Sequence, residues 1–126
     1  MPFTALVVED SATMRQLLTY ALSKIPEVTT IEVPNGLEAL KYLAEKDPPD
    51  IILSDINMPV MDGLKLVQRI RAEEKLVAVP IVMVTTEASE EDRDRAFVLG
   101  ANAYISKPIV AARLVKEIKS LLNIDD

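Results

Sequence analysis

Ile51-Ile52-Leu53-Ser54-Asp55 sets an unbroken apolar run against a terminal carboxylate, and Ile56-Asn57-Met58-Pro59 and the turn signal Asp62-Gly63 follow it. Continuous β-rich runs of this length suit a strand buried on both faces of a parallel sheet. The carboxylate at its end is a helix cap, a loop residue, or a reactive group held at a sheet edge. The rest of the chain decides between these.

Outward from this run the same design repeats. Ala5-Leu6-Val7-Val8 is another continuous apolar strand, stopped by Glu9-Asp10. Ser11 is placed to cap a helix whose apolar positions Met14, Leu17, Leu18, Ala21, Leu22 and Ile25 keep the i, i+3, i+4 rhythm, and Pro26 ends it. Val28 to Val33 mixes polar with apolar residues and reads as a weaker, edge strand. Asn35, with Glu38 in capping-box position, opens a helix presenting Leu37, Leu40, Leu43 and Ala44, which Pro48-Pro49 bars from continuing. The opening strand then runs from Asp50 to Asp55.

Downstream, Leu64, Val67 and Ile70 mark a third helix, and Pro80 closes the segment after it. Ile81-Val82-Met83-Val84 is again a continuous apolar strand and ends in Thr85-Thr86. Ser89-Glu90-Glu91-Asp92 matches a helix start, with acids where the helix dipole favours them, and Gly100 is placed to end that helix. Ala103-Tyr104-Ile105 forms a short last strand reaching Lys107-Pro108, and Val110, Leu114, Ile118, Leu121 and Leu122 stripe a final helix. Strict alternation of strand and helix predicts an α/β, three-layer, doubly wound (βα)5 fold with a five-stranded parallel sheet and right-handed crossovers.

Composition narrows the chemistry. At 126 residues the chain reads as one domain spanning 1–126, with no output domain and no internal linker. It contains neither cysteine nor histidine. That removes thiol catalysis, imidazole metal sites and Ser-His-Asp triads, leaving carboxylates, hydroxyls, lysines and backbone groups. A net charge of −6 argues against nucleic acid as the main ligand. No apolar run approaches the roughly 20 residues that span a bilayer, so no membrane insertion is expected. Met1-Pro2-Phe3-Thr4 lacks a basic leader region, and a cytoplasmic location is expected.

Position carries the functional reading. Glu9 and Asp10 follow the first strand, Asp55 the third, Thr85 the fourth and Lys107 the fifth. Open doubly wound sheets bind ligands beyond the carboxyl ends of their strands, where strand order reverses. Taken singly, each has a plainer reading: Glu9-Asp10 as a capping pair, Asp55 as a solvated loop acid, Thr85 as a strand residue and Lys107 as a surface lysine. Together they converge on one rim. Carboxylates gathered without an arginine among them repel one another, and a hard divalent cation relieves this. Magnesium takes one or two carboxylates and leaves room for phosphate oxygens; a backbone carbonyl just after Asp55, such as that of Asn57, could add a ligand. Asp55 could then act as nucleophile on a phosphoryl group, with Lys107 paired to its charge and Thr85 donating a hydrogen bond.

Val7-Val8-Glu9-Asp10-Ser11, Ser54-Asp55-Ile56-Asn57-Met58-Pro59-Val60-Met61-Asp62-Gly63, Val84-Thr85-Thr86-Glu87 and Ser106-Lys107-Pro108 resemble the signature segments of the receiver domain of two-component response regulators. The resemblance covers essentially the whole chain and is closest to the stand-alone chemotaxis type (CheY-like). It implies the flavodoxin-like strand order 2-1-3-4-5, an order known for the chemotaxis receiver itself and so carried over with the likeness. It further implies that Asp55 is the phosphoacceptor, served by a sensor histidine kinase in phosphorelay signal transduction. Asp10 and Asp55 hold Mg2+ by their carboxylates and Asn57 by its main-chain carbonyl, with Glu9 in the acidic pocket. Thr85 is then the switch hydroxyl, Tyr104 the switch aromatic, and Pro108 the residue after a cis peptide. The residues alone leave Tyr104 open as a half-buried strand aromatic.

Some positions depart from the family pattern. The first acid is often Asp and is Glu9 here, whose longer arm makes metal contact more indirect. Thr86 is bulkier than the usual small residue and is expected to hinder small phosphodonors. Asn57 and Glu87 match the chemotaxis type, so rapid phosphoryl loss is expected. Glu90-Glu91-Asp92-Arg93-Asp94-Arg95 is a run of charges that reads most simply as a solvated helix face.

The expectation is a phosphorylation-switched receiver, not an enzyme beyond its own phosphotransfer and dephosphorylation. It signals to a downstream protein, possible chemotaxis machinery included, through the fourth helix, fifth strand and fifth helix, as a monomer or weak phosphorylation-dependent dimer. The rivals are a phosphorylation-independent docking module with the same fold and a small magnesium-dependent phosphatase. The second would want an additional acid where Asn57 stands, and a cap over its substrate.

Overall fold

A computed structural model of the protein describes residues 2–85 and 89–124. Thr86 and Glu87, on which two of the sequence expectations rest, lie outside the described residues. Five strands alternate with five helices: β1 (Phe3–Val8), α1 (Ala12–Leu22), β2 (Val28–Val33), α2 (Gly36–Glu45), β3 (Ile51–Ser54), α3 (Gly63–Arg71), β4 (Ile81–Thr85), α4 (Glu90–Leu99), β5 (Ala103–Ser106) and α5 (Ala111–Leu122). A 3-10 turn at Glu74–Leu76, not foreseen from the sequence, links α3 to β4. All pairings are parallel and the sheet order is β2-β1-β3-β4-β5.

The two-residue period of the strands builds both cores. Ala5, Val7, Ile51, Leu53, Val82 and Val84 face Leu18, Leu22, Leu114 and Ile118 of α1 and α5. Leu6, Val8, Ile52, Ile81 and Met83 face the opposite layer, with Leu43, Val67, Ile70 and Ala96 of α2, α3 and α4. A strand covered on both faces reads as an unbroken apolar run, as the opening stretch does. Among the described residues β2 pairs with β1 alone and buries nothing completely, as its mixed sequence predicts for an edge.

The predicted caps form. Ser11 Oγ accepts from Met14 N–H, Asn35 Oδ1 from Glu38 N–H and Ser89 Oγ from Asp92 N–H, each satisfying an orphan donor of a first helical turn. Gly100 ends α4 at φ +121, a conformation that a Cβ disfavours. The Arg71 guanidinium crosses to this end, donating to the carbonyls of Gly100 and Leu76 and to Asn102 Oδ1.

The helix stripes read too wide. Leu17 is 49% exposed, and Leu37, Ala44 and Val110 also face solvent, while Ala39 is fully buried in the α2 stripe. α1 stops at Leu22 with a cap at Ser23, so Ile25 reaches the core from the turn beyond the helix. The charge run of α4 is a solvated face, Ala96 being the one residue of that helix fully withdrawn from water.

Candidate functional site

Among the described residues, the buried polar or charged ones are Glu9, Ser54, Asp55 and Thr85, and all stand at the carboxyl end of β1, β3 or β4. Elsewhere the core is apolar. Polar groups in such a position need partners, and every buried side-chain nitrogen or oxygen among the described residues has one.

Asp55 is the first residue beyond β3 and is 7% exposed. Its backbone N–H donates to the Val8 carbonyl at 3.3 Å, tying it to the end of β1. Its Oδ1 accepts from the N–H groups of Ile56 at 2.7 Å and Asn57 at 3.3 Å, so the loop's own backbone fixes the carboxylate's rotation. Its Oδ2 faces Lys107 Nζ at 3.2 Å.

The loop shape that allows this depends on Gly63. A Cβ there would overlap the Asp55 carbonyl and come within 2.8 Å of Ile56 Cα, and the Gly63 N–H donates to the Ile56 carbonyl at 2.7 Å. Asp62, before it, caps α3 by accepting from Lys65 N–H. Within the same loop, Met61 N–H donates to the Pro59 carbonyl around Val60 at φ +74, the geometry of a strained γ-turn. A β-branched residue is a poor sequence signal for positive φ, so this turn could not be read from the chain.

Glu9, just beyond β1 and 1% exposed, is held at every polar atom. Its N–H donates to the Val33 carbonyl, and its own carbonyl accepts from Arg15 Nη1 at 2.6 Å. Oε2 accepts from Ser11 N–H at 3.1 Å and Oε1 from Lys107 Nζ at 3.2 Å. Burial pushes the Glu9 carboxyl above its ordinary pKa and the Asp55 charge adds to this; the Ser11 N–H and the Lys107 ammonium act in the other direction.

Asp10 is exposed beside Glu9. Carboxylate oxygens of Glu9, Asp10 and Asp55 lie within 4.8 Å of one another. A set of hard oxygen donors at that spacing is compatible with magnesium. Asn57 is exposed, with its N–H turned to Asp55.

Lys107 follows β5, its N–H donating to the Thr85 carbonyl at 2.8 Å, so two of the sequence-derived residues are joined through backbone. Its ammonium bridges Glu9 and Asp55, with a side chain only 8% exposed. A surface lysine is excluded by that burial. The Lys107-Pro108 bond is cis. Thr85 ends β4, fully buried, and Tyr104 lies mid-β5, half-buried against the α2–α3–α4 side of the sheet. Arg15 is the neighbour that sequence reasoning missed. It touches a backbone carbonyl, and nothing in residue spacing marks such a contact.

A cavity of about 480 Å3 opens elsewhere, between α2, the end of α3 and the 3-10 turn, against Leu40, Leu43, Arg69 and Leu76, and does not touch the acidic rim.

A family model described as the response regulator receiver domain matches residues 5–119. A chemotaxis protein CheY homolog of Campylobacter jejuni is 37% identical over 118 residues, covering 94% of this chain and 91% of that protein. The polar-differentiation response regulator DivK of Brucella anthropi is 38% identical over 123 residues, covering 98% of each. The solved structure of the chemotaxis response regulator CheY4 of Vibrio cholerae superimposes with a TM-score of 0.88 at 31% identity, covering 97% of this chain and 100% of that one.

Proposed function

The chain belongs to the response regulator receiver family, a module of two-component signalling, and on that premise we propose that it is a phosphorylation-switched receiver whose acceptor is Asp55. The observation that carries this reading is the Lys107 ammonium at 3.2 Å from both Glu9 and Asp55, at the sheet edge where the buried polar residues gather. That arrangement holds a carboxylate, a cation and an acidic pair in one place before any donor arrives. Phosphoryl transfer asks for little more than positioning and charge neutralisation.

A carboxylate oxygen of Asp55 attacks phosphorus on the phosphohistidine of a sensor kinase. The P–N bond breaks as the P–O bond forms, and the imidazole nitrogen keeps the electron pair and takes up a proton. The Ile56 and Asn57 amides hold Asp55 in one rotamer through the attack. Lys107 exchanges its carboxylate partners for the phosphoryl oxygens, and the Thr85 hydroxyl donates to one of them. Glu9, Asp10 and Asp55 would hold magnesium with the Asn57 main-chain carbonyl, and the ion when bound supplies the charge that lets an anion enter an acidic pocket.

The switch then runs through Thr85 and Tyr104, whose ring turns inward, to the face of α4, β5 and α5. Phe97 and Val98 on α4 and Val110 just before α5 are exposed apolar residues that suit a protein partner. Among the described residues no helix is long and apolar enough to cross a membrane. A cytoplasmic module acting as a monomer or weak phosphorylation-dependent dimer fits this reading. Chemotaxis and polar differentiation are the named roles of two relatives, so the pathway is left to the partner.

The test is the intact mass after incubation with magnesium and a small acyl phosphate. Added phosphoryl mass in the parent protein and none in Asp55→Asn is the expected result. No gain, or an equal gain in the variant, overturns the proposal.

A further inference from the structure

We infer that Arg15 is a positioning residue for the acidic pocket, acting through the backbone of Glu9. The inference rests on the magnesium reading above. Arg15 stands on the first turn of α1, its backbone N–H donating to the Ser11 carbonyl at 2.9 Å. From there its guanidinium reaches back over the turn to the Glu9 carbonyl at 2.6 Å, and its Nε lies 3.7 Å from Glu32 Oε1 on β2. The bonds to the Ser11 and Glu9 carbonyls tie Arg15 to both ends of Glu9-Asp10-Ser11, the segment that carries two of the three pocket acids.

Glu9 has a reason to need such support. A glutamate arm has one more rotatable bond than an aspartate, so placing its carboxylate costs more conformational entropy. The Ser11 N–H and Lys107 hold the carboxylate end. The Val33 carbonyl holds the Glu9 N–H from the edge strand. Among the described residues, Arg15 is the side chain that holds the carbonyl end, and a charge-assisted bond of this kind is among the stronger ones available.

Two effects of Arg15 on a cation in the pocket have opposite signs. Its charge repels a second cation, so removing it tightens magnesium binding by field alone. Its bond fixes the ligand backbone, so removing it loosens binding by geometry. That charge sits at a partly exposed position with the Glu32 carboxylate 3.7 Å away, where its field is screened. Geometry therefore prevails. Losing a group that orients a ligand typically costs metal affinity about ten- to a hundredfold.

The experiment is calorimetric titration of magnesium into the parent chain, Arg15→Met and Arg15→Lys at fixed ionic strength. Methionine keeps the apolar stem of the side chain and with it the packing on α1. Arg15→Met is expected to bind about tenfold more weakly, the low end of that range, and Arg15→Lys, which restores a charged donor, to recover most of the loss. Unchanged or tighter binding in Arg15→Met, including the case where only its melting temperature falls, overturns the positioning role. Absence of binding by the parent chain would instead remove the magnesium reading itself, so the two failures are told apart. Should Arg15→Met fail to fold, Arg15→Gln gives the same sign test.

Discussion

Glu9 carries its charge almost wholly out of water and next to that of Asp55, and its carboxyl pKa is raised accordingly. Between the ordinary and the raised value the native state holds more protons than the unfolded chain. Stability therefore falls as pH rises through that window, and the metal-free protein bears the full penalty above it. Metal-free Glu9→Gln is expected to melt at a higher temperature than the parent at pH 7, with the advantage shrinking towards pH 4, where the parent's Glu9 is protonated as well. Thermal scans across that range check it; an equal or lower melting point for the variant at pH 7 contradicts it. At this scale the chain was legible where a residue's place follows from its strand. Glu9, Asp55, Thr85 and Lys107 each close an apolar run or stand just past one. Arg15 was invisible because its partner is a main-chain carbonyl, and the γ-turn at Val60 because valine does not advertise positive φ.

The element that delivers Asp55 is the loop from β3 into α3, and its tightest point is Gly63. A methyl group there collides with main chain, which cannot rotate away as a side chain can. Gly63→Ala is expected to destabilise the fold by about 2 kcal/mol or more, the upper part of the usual range for single substitutions. It should also move the Asp55 carboxylate off its amide donors. Denaturant unfolding gives the first quantity, and the rate of phosphoryl gain at Asp55 gives the second; a variant matching the parent in both would show that the loop tolerates the Cβ. Asp62-Gly63 was readable as a turn, yet the reason for glycine was not, because close approach between distant backbone atoms leaves no local pattern. Helix boundaries suffered similarly. Leu17, Leu37 and Val110 keep helical spacing but face solvent, since the width of a buried stripe is set by neighbouring elements and not by period.

Across the whole molecule, the strand alternation that gives two cores also places the polar residues on one edge, and this was the most legible level of all. Parallel strands covered on both faces leave their carboxyl ends as the place for chemistry. The strand order itself came with the family likeness, because alternation alone does not choose among doubly wound orders. If the three acids share one cation, magnesium binds the native state and not the unfolded chain, and the gain follows mass action. At ten times the dissociation constant it amounts to about 1.4 kcal/mol, or a few degrees in melting temperature for a domain of this size. Asp10→Ala should lose most of that shift, and an identical shift in parent and variant would place the ion elsewhere. The claim that the sheet edge makes Asp55 the acceptor is tested most directly by reductive trapping. Borohydride converts an aspartyl acyl phosphate to homoserine, and peptide mass mapping after phosphorylation locates it. Homoserine at position 55 is the predicted result; homoserine at Glu9's neighbour Asp10, at another aspartate, or at none would contradict it.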